Sequence, residues 1–90
     1  MQRAFSTSSI PDVTIRVSGK LLQGHLSYLD QLIQMAGACE LWVLLDLQNL
    51  EKVDRAALLY LMRGEDYAFD LVSCPNFIRE WMSHEFLRIA

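Results

Sequence analysis

Residues 44–61 read LLDLQNLEKVDRAALLYL. An apolar run ends at Leu47, a polar stretch follows, and a strongly helix-forming segment begins after Asp54. Asp is a preferred helix N-cap, because its carboxylate accepts from the free N–H groups two or three residues on. Arg55 follows at once. A cation is the unfavoured charge at a helix N-terminus, where unpaired N–H groups and the macrodipole favour anions. Residues 41–47, LWVLLDL, are apolar at almost every position, so they are expected as a central strand packed on both faces. Residues 48–53 are expected as a turn. Arg63 and Gly64 then give the helix a cationic last turn and a C-terminal stop.

The rest of the chain falls into place on either side. In DVTIRV, Val13, Ile15 and Val17 alternate with Asp12, Thr14 and Arg16, the period of a half-buried strand. Ser18, Gly19 and Lys20 are expected as a turn. Leu26, Leu29, Leu32, Ile33 and Ala36 share one helical stripe, with Gly37 as its stop. YAFDLV, residues 67–72, has a strand pattern. Pro75 introduces a last helix at a tolerated first-turn position, with Phe77, Ile78, Trp81, Met82 and Phe86 on its apolar face. Strand–helix alternation of this kind predicts an α/β domain: a small, mostly parallel or mixed sheet with helices packed on it, joined by right-handed crossovers.

Composition bounds the function. Ninety residues make one domain, with 52% apolar and 21% charged residues. A domain of this size buries roughly 60% of its unfolded surface. The net charge is −3, and acidic and basic residues are interleaved. No basic stripe suited to nucleic acid is present in the sequence. Cys39 and Cys74 form no CxxC pair and are expected as reduced, mostly buried thiols of a cytoplasmic protein. No apolar run reaches the ~18 residues of a membrane helix, so no membrane insertion is expected. MQRAFSTSSIP, residues 1–11, is expected as a flexible or edge-pairing N-terminal arm, and residues 12–90 as the domain.

No spaced set of residues points to catalysis, a metal or a cofactor. There is no Walker A sequence, no GxGxxG and no GxSxG. His25 and His84 are far apart; Glu80 and His84 read as a surface helix pair. Glu65, Asp66 and Asp70 read as a solvated acidic loop. Trp42 and Trp81 are expected in the core rather than as stacking platforms.

With VTIRVSGKL before it, the 44–61 stretch resembles the STAS domain family, which includes bacterial anti-sigma-factor antagonists and the cytoplasmic tails of sulfate transporters. Val13 to Val17, Gly19 and Leu21 match the family's first strand and turn. Leu45-Asp46-Leu47 and Val53-Asp54 match its second strand and helix start, and Leu58, Leu61 and Gly64 match the helix that follows. The resemblance covers roughly residues 12 to 85. It implies a single STAS-like domain that acts as a non-enzymatic protein–protein interaction and regulatory module. The departures carry information. The phosphate-accepting Ser or Thr of the antagonists is replaced by Arg55, which no such kinase can phosphorylate and whose charge is opposite to phosphoserine. The family's Gly two residues later is Ala57, and the acidic residue expected after Gly19 is Lys20.

The expected partner surface comprises Glu51, Lys52, Asp54, Arg55, Leu59 and Arg63. Leu59 is included because Leu58, Leu61 and Met62 already supply an inward stripe. Arg55 is either a surface side chain offset by Asp54 or Glu51, or a contact to an acidic or phosphorylated partner, for which its planar fork is suited. By resemblance the partner is a protein such as a sigma-regulator kinase, a sensory module or the ATPase of a transporter complex. Two alternatives stand beside this one: a small-ligand or nucleotide-binding sensor, and a homo-oligomerising module, including a homodimer, paired through an edge strand at residues 12–17.

Overall fold

The central strand is where the sequence puts it. In the computed structural model, which describes residues 11–89, β3 (Trp42–Asp46) lies between β1 (Asp12–Arg16) and β5 (Phe69–Val72). All three strands are parallel, with Val13 and Phe69 flanking Val43, and Ile15 and Leu71 flanking Leu45. Helices α1 (Gln23–Ala38), α2 (Arg55–Gly64) and α3 (Asn76–Ile89) complete the fold. The chain is therefore an α/β domain with a parallel sheet. Among residues 1–11, Pro11 alone is described, and its carbonyl accepts from the Trp42 N–H at 2.9 Å; the expected arm otherwise lies outside the described residues.

One expectation about β3 is corrected. Val43, Leu45 and the following Leu47 are buried, but Trp42, Leu44 and Asp46 on the other face are only half-buried. The cause is topological. The strand order β1-β3-β5 advances in one direction, so successive crossovers of one hand stack their helices on the same face. Leu29, Ile33 and Ala36 of α1, Ala57, Leu58 and Leu61 of α2, and Ile78 and Met82 of α3 share a single core with that face. The opposite face carries Thr14, Trp42 and Asp70; Trp42 Nε1 donates to Asp70 Oδ2 at 3.0 Å. Trp42 is thus tethered on the face opposite the helices and is not part of the core among the described residues, while Trp81 packs at the core margin.

Two segments expected as turns are short strands. β2 (Gly19–Leu21) and β4 (Leu50–Val53) pair in parallel as a two-stranded extension of β1 and β3. Gly19 takes φ +75°, a left-handed conformation open to glycine, and the register slips between Gly19 and Lys20. Leu50 pairs with Gly19 and Lys52 with Lys20, so Glu51 is the extra residue of a bulge. That is why Glu51 and Lys52 are both exposed while Leu50 and Val53 are buried.

The helix ends differ from the glycine signals. α1 runs past Gly37 to Ala38, and the left-handed residue after it is Glu40 (φ 61°). Gly64 is the last residue of α2 and has no positive φ. Its role is steric: a methyl group there would overlap the ring of Phe69. β5 starts at Phe69, and Tyr67 lies in the preceding turn, exposed. Pro75 precedes α3, its carbonyl accepting from the Ile78 and Arg79 N–H groups. The thiols also depart from expectation, with Cys39 exposed and Cys74 half-buried; burial pushes the Cys74 thiol up.

Candidate functional site

Asp54 caps two helices at once. Its Oδ1 accepts from the Ala57 N–H at 2.8 Å, the N-cap bond of α2. Its Oδ2 accepts from the N–H of Gln23, the first residue of α1, also at 2.8 Å. The residue at the N-cap of α1 is Leu22, which has no side-chain oxygen to offer. These two backbone donors, Ala57 foremost, hold the Asp54 carboxyl below its ordinary range. Asp54→Ala is expected to lower the melting temperature by roughly 4–8 °C, as loss of a cap does in a domain of this size. Asp54→Asn, which keeps one acceptor, should lose less; equal melting points for the natural protein and Asp54→Ala would refute the double cap.

Arg55 is accounted for by α3 rather than by its neighbours. Its Nε donates to Glu85 Oε1 at 3.1 Å, and Nη2 lies 3.0 Å from the same oxygen. Neither Asp54 nor Glu51 forms an ion pair with it. Glu85 is only 2% exposed, and a buried carboxylate requires a partner. Arg88 lies 3.5 Å from its other oxygen. The Arg55 guanidinium, with Arg88 assisting, holds the Glu85 carboxyl below its ordinary range.

A second pair closes the opposite end. Glu65, after the end of α2, receives two hydrogen bonds from Arg79 near the start of α3, at 2.9 and 2.7 Å. The start of α2 thus meets the end of α3, and the end of α2 meets the start of α3. The two helices run antiparallel, with one ion pair at each end.

Between the pairs lies an apolar trough. One part, about 400 Å³, is lined by Arg55, Leu59, Met62, Arg63 and Phe86. The adjoining part, about 490 Å³, shares Met62 and Phe86 and extends to Met82, Ser83 and Leu87. Phe86 is 62% exposed and Leu87 74%. Phe86 was expected on the inward stripe of α3, and the helical period explains the correction. At about 100° per residue, position 85 falls about 20° from Ile78 and position 86 about 80° away. The buried stripe is therefore Ile78, Met82 and Glu85, and Phe86 is turned outward. The exposed Glu80 and His84 show no hydrogen bond or ion pair to each other.

Of the six expected partner residues, the fold brings Arg55, Leu59 and Arg63 into this trough. Asp54 is occupied in capping, and Glu51 and Lys52 lie on the bulged β4. Phe86, Leu87, Glu65, Arg79 and Glu85 were not anticipated as parts of it, since their roles depend on how α3 is rotated and where it lies. The trough's charged groups are guanidinium and carboxylate groups, most of them already ion-paired, and its one hydroxyl among the described lining residues, Ser83, donates to the Arg79 carbonyl. Among the described residues no group of three or more His, Cys, Asp or Glu is placed to hold a metal ion, and no helix is long and apolar enough to cross a membrane. Neither a family model, nor a curated protein, nor a solved structure matches the chain.

Proposed function

We propose that this chain is a non-enzymatic, STAS-like protein–protein interaction domain of a regulatory system, working without a phosphorylatable residue at the start of α2. The observation that carries the reading is the α2–α3 trough, where two large apolar residues of α3 stand in solvent beside Leu59 and Met62. Exposed apolar residues gathered in one place, rimmed by charge, characterise surfaces that bind other proteins. Arg55 belongs to the scaffold of that surface through Glu85, and Arg63 is the trough arginine that forms no ion pair among the described residues. By resemblance the partner is a sigma-regulator kinase, a sensory protein or a transporter ATPase, met in the cytoplasm.

Capture experiments in extracts of the source cell test this reading. The natural protein, Leu59→Asp and Phe86→Asp should melt within a few degrees of one another, because neither side chain belongs to the buried core. A partner retained by the natural protein and lost with both variants is the expected result. Retention by both variants would place the interface elsewhere. A thermal-shift screen addresses the ligand alternative: saturable stabilisation by a nucleotide would favour a sensor, because a ligand that binds only the native state raises the melting point.

A further inference from the structure

We infer that the α2–α3 trough takes an acidic, amphipathic helical segment of its partner, whose apolar stripe seats against Leu59, Met62, Phe86 and Leu87 and whose flanking carboxylates meet Arg63 and Arg55. This deepens the proposed function and rests on it.

Charge distinguishes this surface from the rest of the molecule. The chain carries eight basic and eleven acidic residues in all. Four of the basic ones, Arg55, Arg63, Arg79 and Arg88, lie along the α2–α3 surface, where the ion-paired carboxylates are Glu65 and Glu85. Glu65 neutralises Arg79, and Glu85 is shared between Arg55 and Arg88. At the Arg79 end the exposed Asp66 adds a negative charge beside Glu65. At the other end one positive charge is left over from Arg55 and Arg88, and Arg63 adds another, on a protein whose net charge is −3. A basic strip on an acidic molecule selects an acidic partner and steers its approach. It also disfavours a second copy of this chain. Isologous pairing across a two-fold axis sets a surface against its own copy, so two patches of the same net positive charge would repel.

The shape of the trough suits a helix. The walls are two helices whose backbone groups are already hydrogen-bonded, so no free edge is available to a strand, and recognition must come from side chains. A third helix laid in the trough presents residues at i, i+3, i+4 and i+7 to such a surface. α2 has ten residues, about 15 Å of wall at 1.5 Å per residue, enough for roughly three turns of a docked helix. The ion pairs at each end hold the walls in register before binding, which reduces the ordering cost of association.

The probe is a synthetic peptide of about 18 residues, long enough for appreciable helix content, with a Leu stripe flanked by Glu. Its companion carries Lys at every Glu position. Each is titrated into the ¹⁵N-labelled full chain. The expected result is saturable amide shifts confined to α2 and the second half of α3 with the Glu peptide, and none with the Lys peptide. Phe86→Asp and Arg63→Glu should each raise Kd about tenfold or more, and Arg63→Glu should gain affinity for the Lys peptide. Rising salt should weaken the complex. Equal binding of both peptides would overturn the acidic preference, and shifts elsewhere or no shifts would overturn the site. Sedimentation showing a dimer abolished by Phe86→Asp would overturn it in favour of a second copy. If the Glu peptide fails while Leu59→Asp still abolishes partner capture, the interaction surface stands and its acidic helical occupant is refuted.

Discussion

Phe69→Ala is expected to lower the unfolding free energy by about 3–5 kcal/mol, the range for deleting a buried aromatic side chain. Domains of this kind have roughly 5–15 kcal/mol in total, so the variant should be close to unfolded at physiological temperature. Phe69 is 1% exposed and opens β5 beside Val43. Its ring lies over Gly64 at the end of α2 and stacks on Tyr60 with centroids 5.9 Å apart. Tyr60 in turn donates to Asp30 on α1 at 2.9 Å, so the ring couples β5, α2 and α1. The coupling to Gly64 has its own signature. Gly64→Ala removes a poor helix former, worth up to about 1 kcal/mol in an open helix, yet here the added methyl group meets a ring that close packing holds in place. Gly64→Ala should therefore destabilise the natural protein, and do so less in a Phe69→Leu background. A urea-denaturation double-mutant cycle reads this directly. A Gly64→Ala variant more stable than the natural chain would refute the packing role of Gly64.

Arg55→Glu is expected to destabilise the domain itself, in addition to any effect on binding. It would set a second carboxylate against the buried Glu85 and leave Arg88 as its one cationic partner among the described residues. Truncating one member of a buried pair harms more than replacing both, because the survivor stays desolvated. Arg55→Leu with Glu85→Leu should thus recover much of the stability lost by Arg55→Glu alone. The pH dependence has a definite sign. Glu85 ionises below its ordinary value of 4.5 in the folded state because Arg55 stabilises its charged form. The stabilisation is therefore present above that value and disappears as pH falls through the lower, folded-state value. Asp54, also depressed, acts in the same direction. The natural protein should lose stability below about pH 4.5, and Arg55→Leu should be weaker at pH 7 with a shallower acid decline. Parallel acid profiles for the two proteins would exclude the Arg55–Glu85 contribution. A binding assay that uses Arg55→Glu alone cannot separate a lost contact from a damaged scaffold, so Leu59 and Arg63 are the better probes.

Local chemistry set much of this molecule. The alternation of residues 12–17, the apolar run at 41–47 and the Asp54 cap specify strands and a helix start through interactions within a few residues, and each is found in place. Leu59 was separable from Leu58 and Leu61 because a helical period is a property of the sequence. Other features needed partners distant in the chain. Asp54 reaches Gln23, Arg55 reaches Glu85 and Gly64 lies under Phe69, contacts that exist only once the crossovers have stacked the helices on one face. The β2–β4 pair was invisible because three- and four-residue strands carry too short a pattern, and a bulge at Glu51 breaks the period they have. The trough depended on the rotation of α3, which turned Glu85 inward and Phe86 out. Local periodicity in the sequence determined the three helices and the strands β1, β3 and β5; the stacking of the helices on one side decided which face of β3 is buried, and the packing of α3 against α2 decided which side chains stand in solvent.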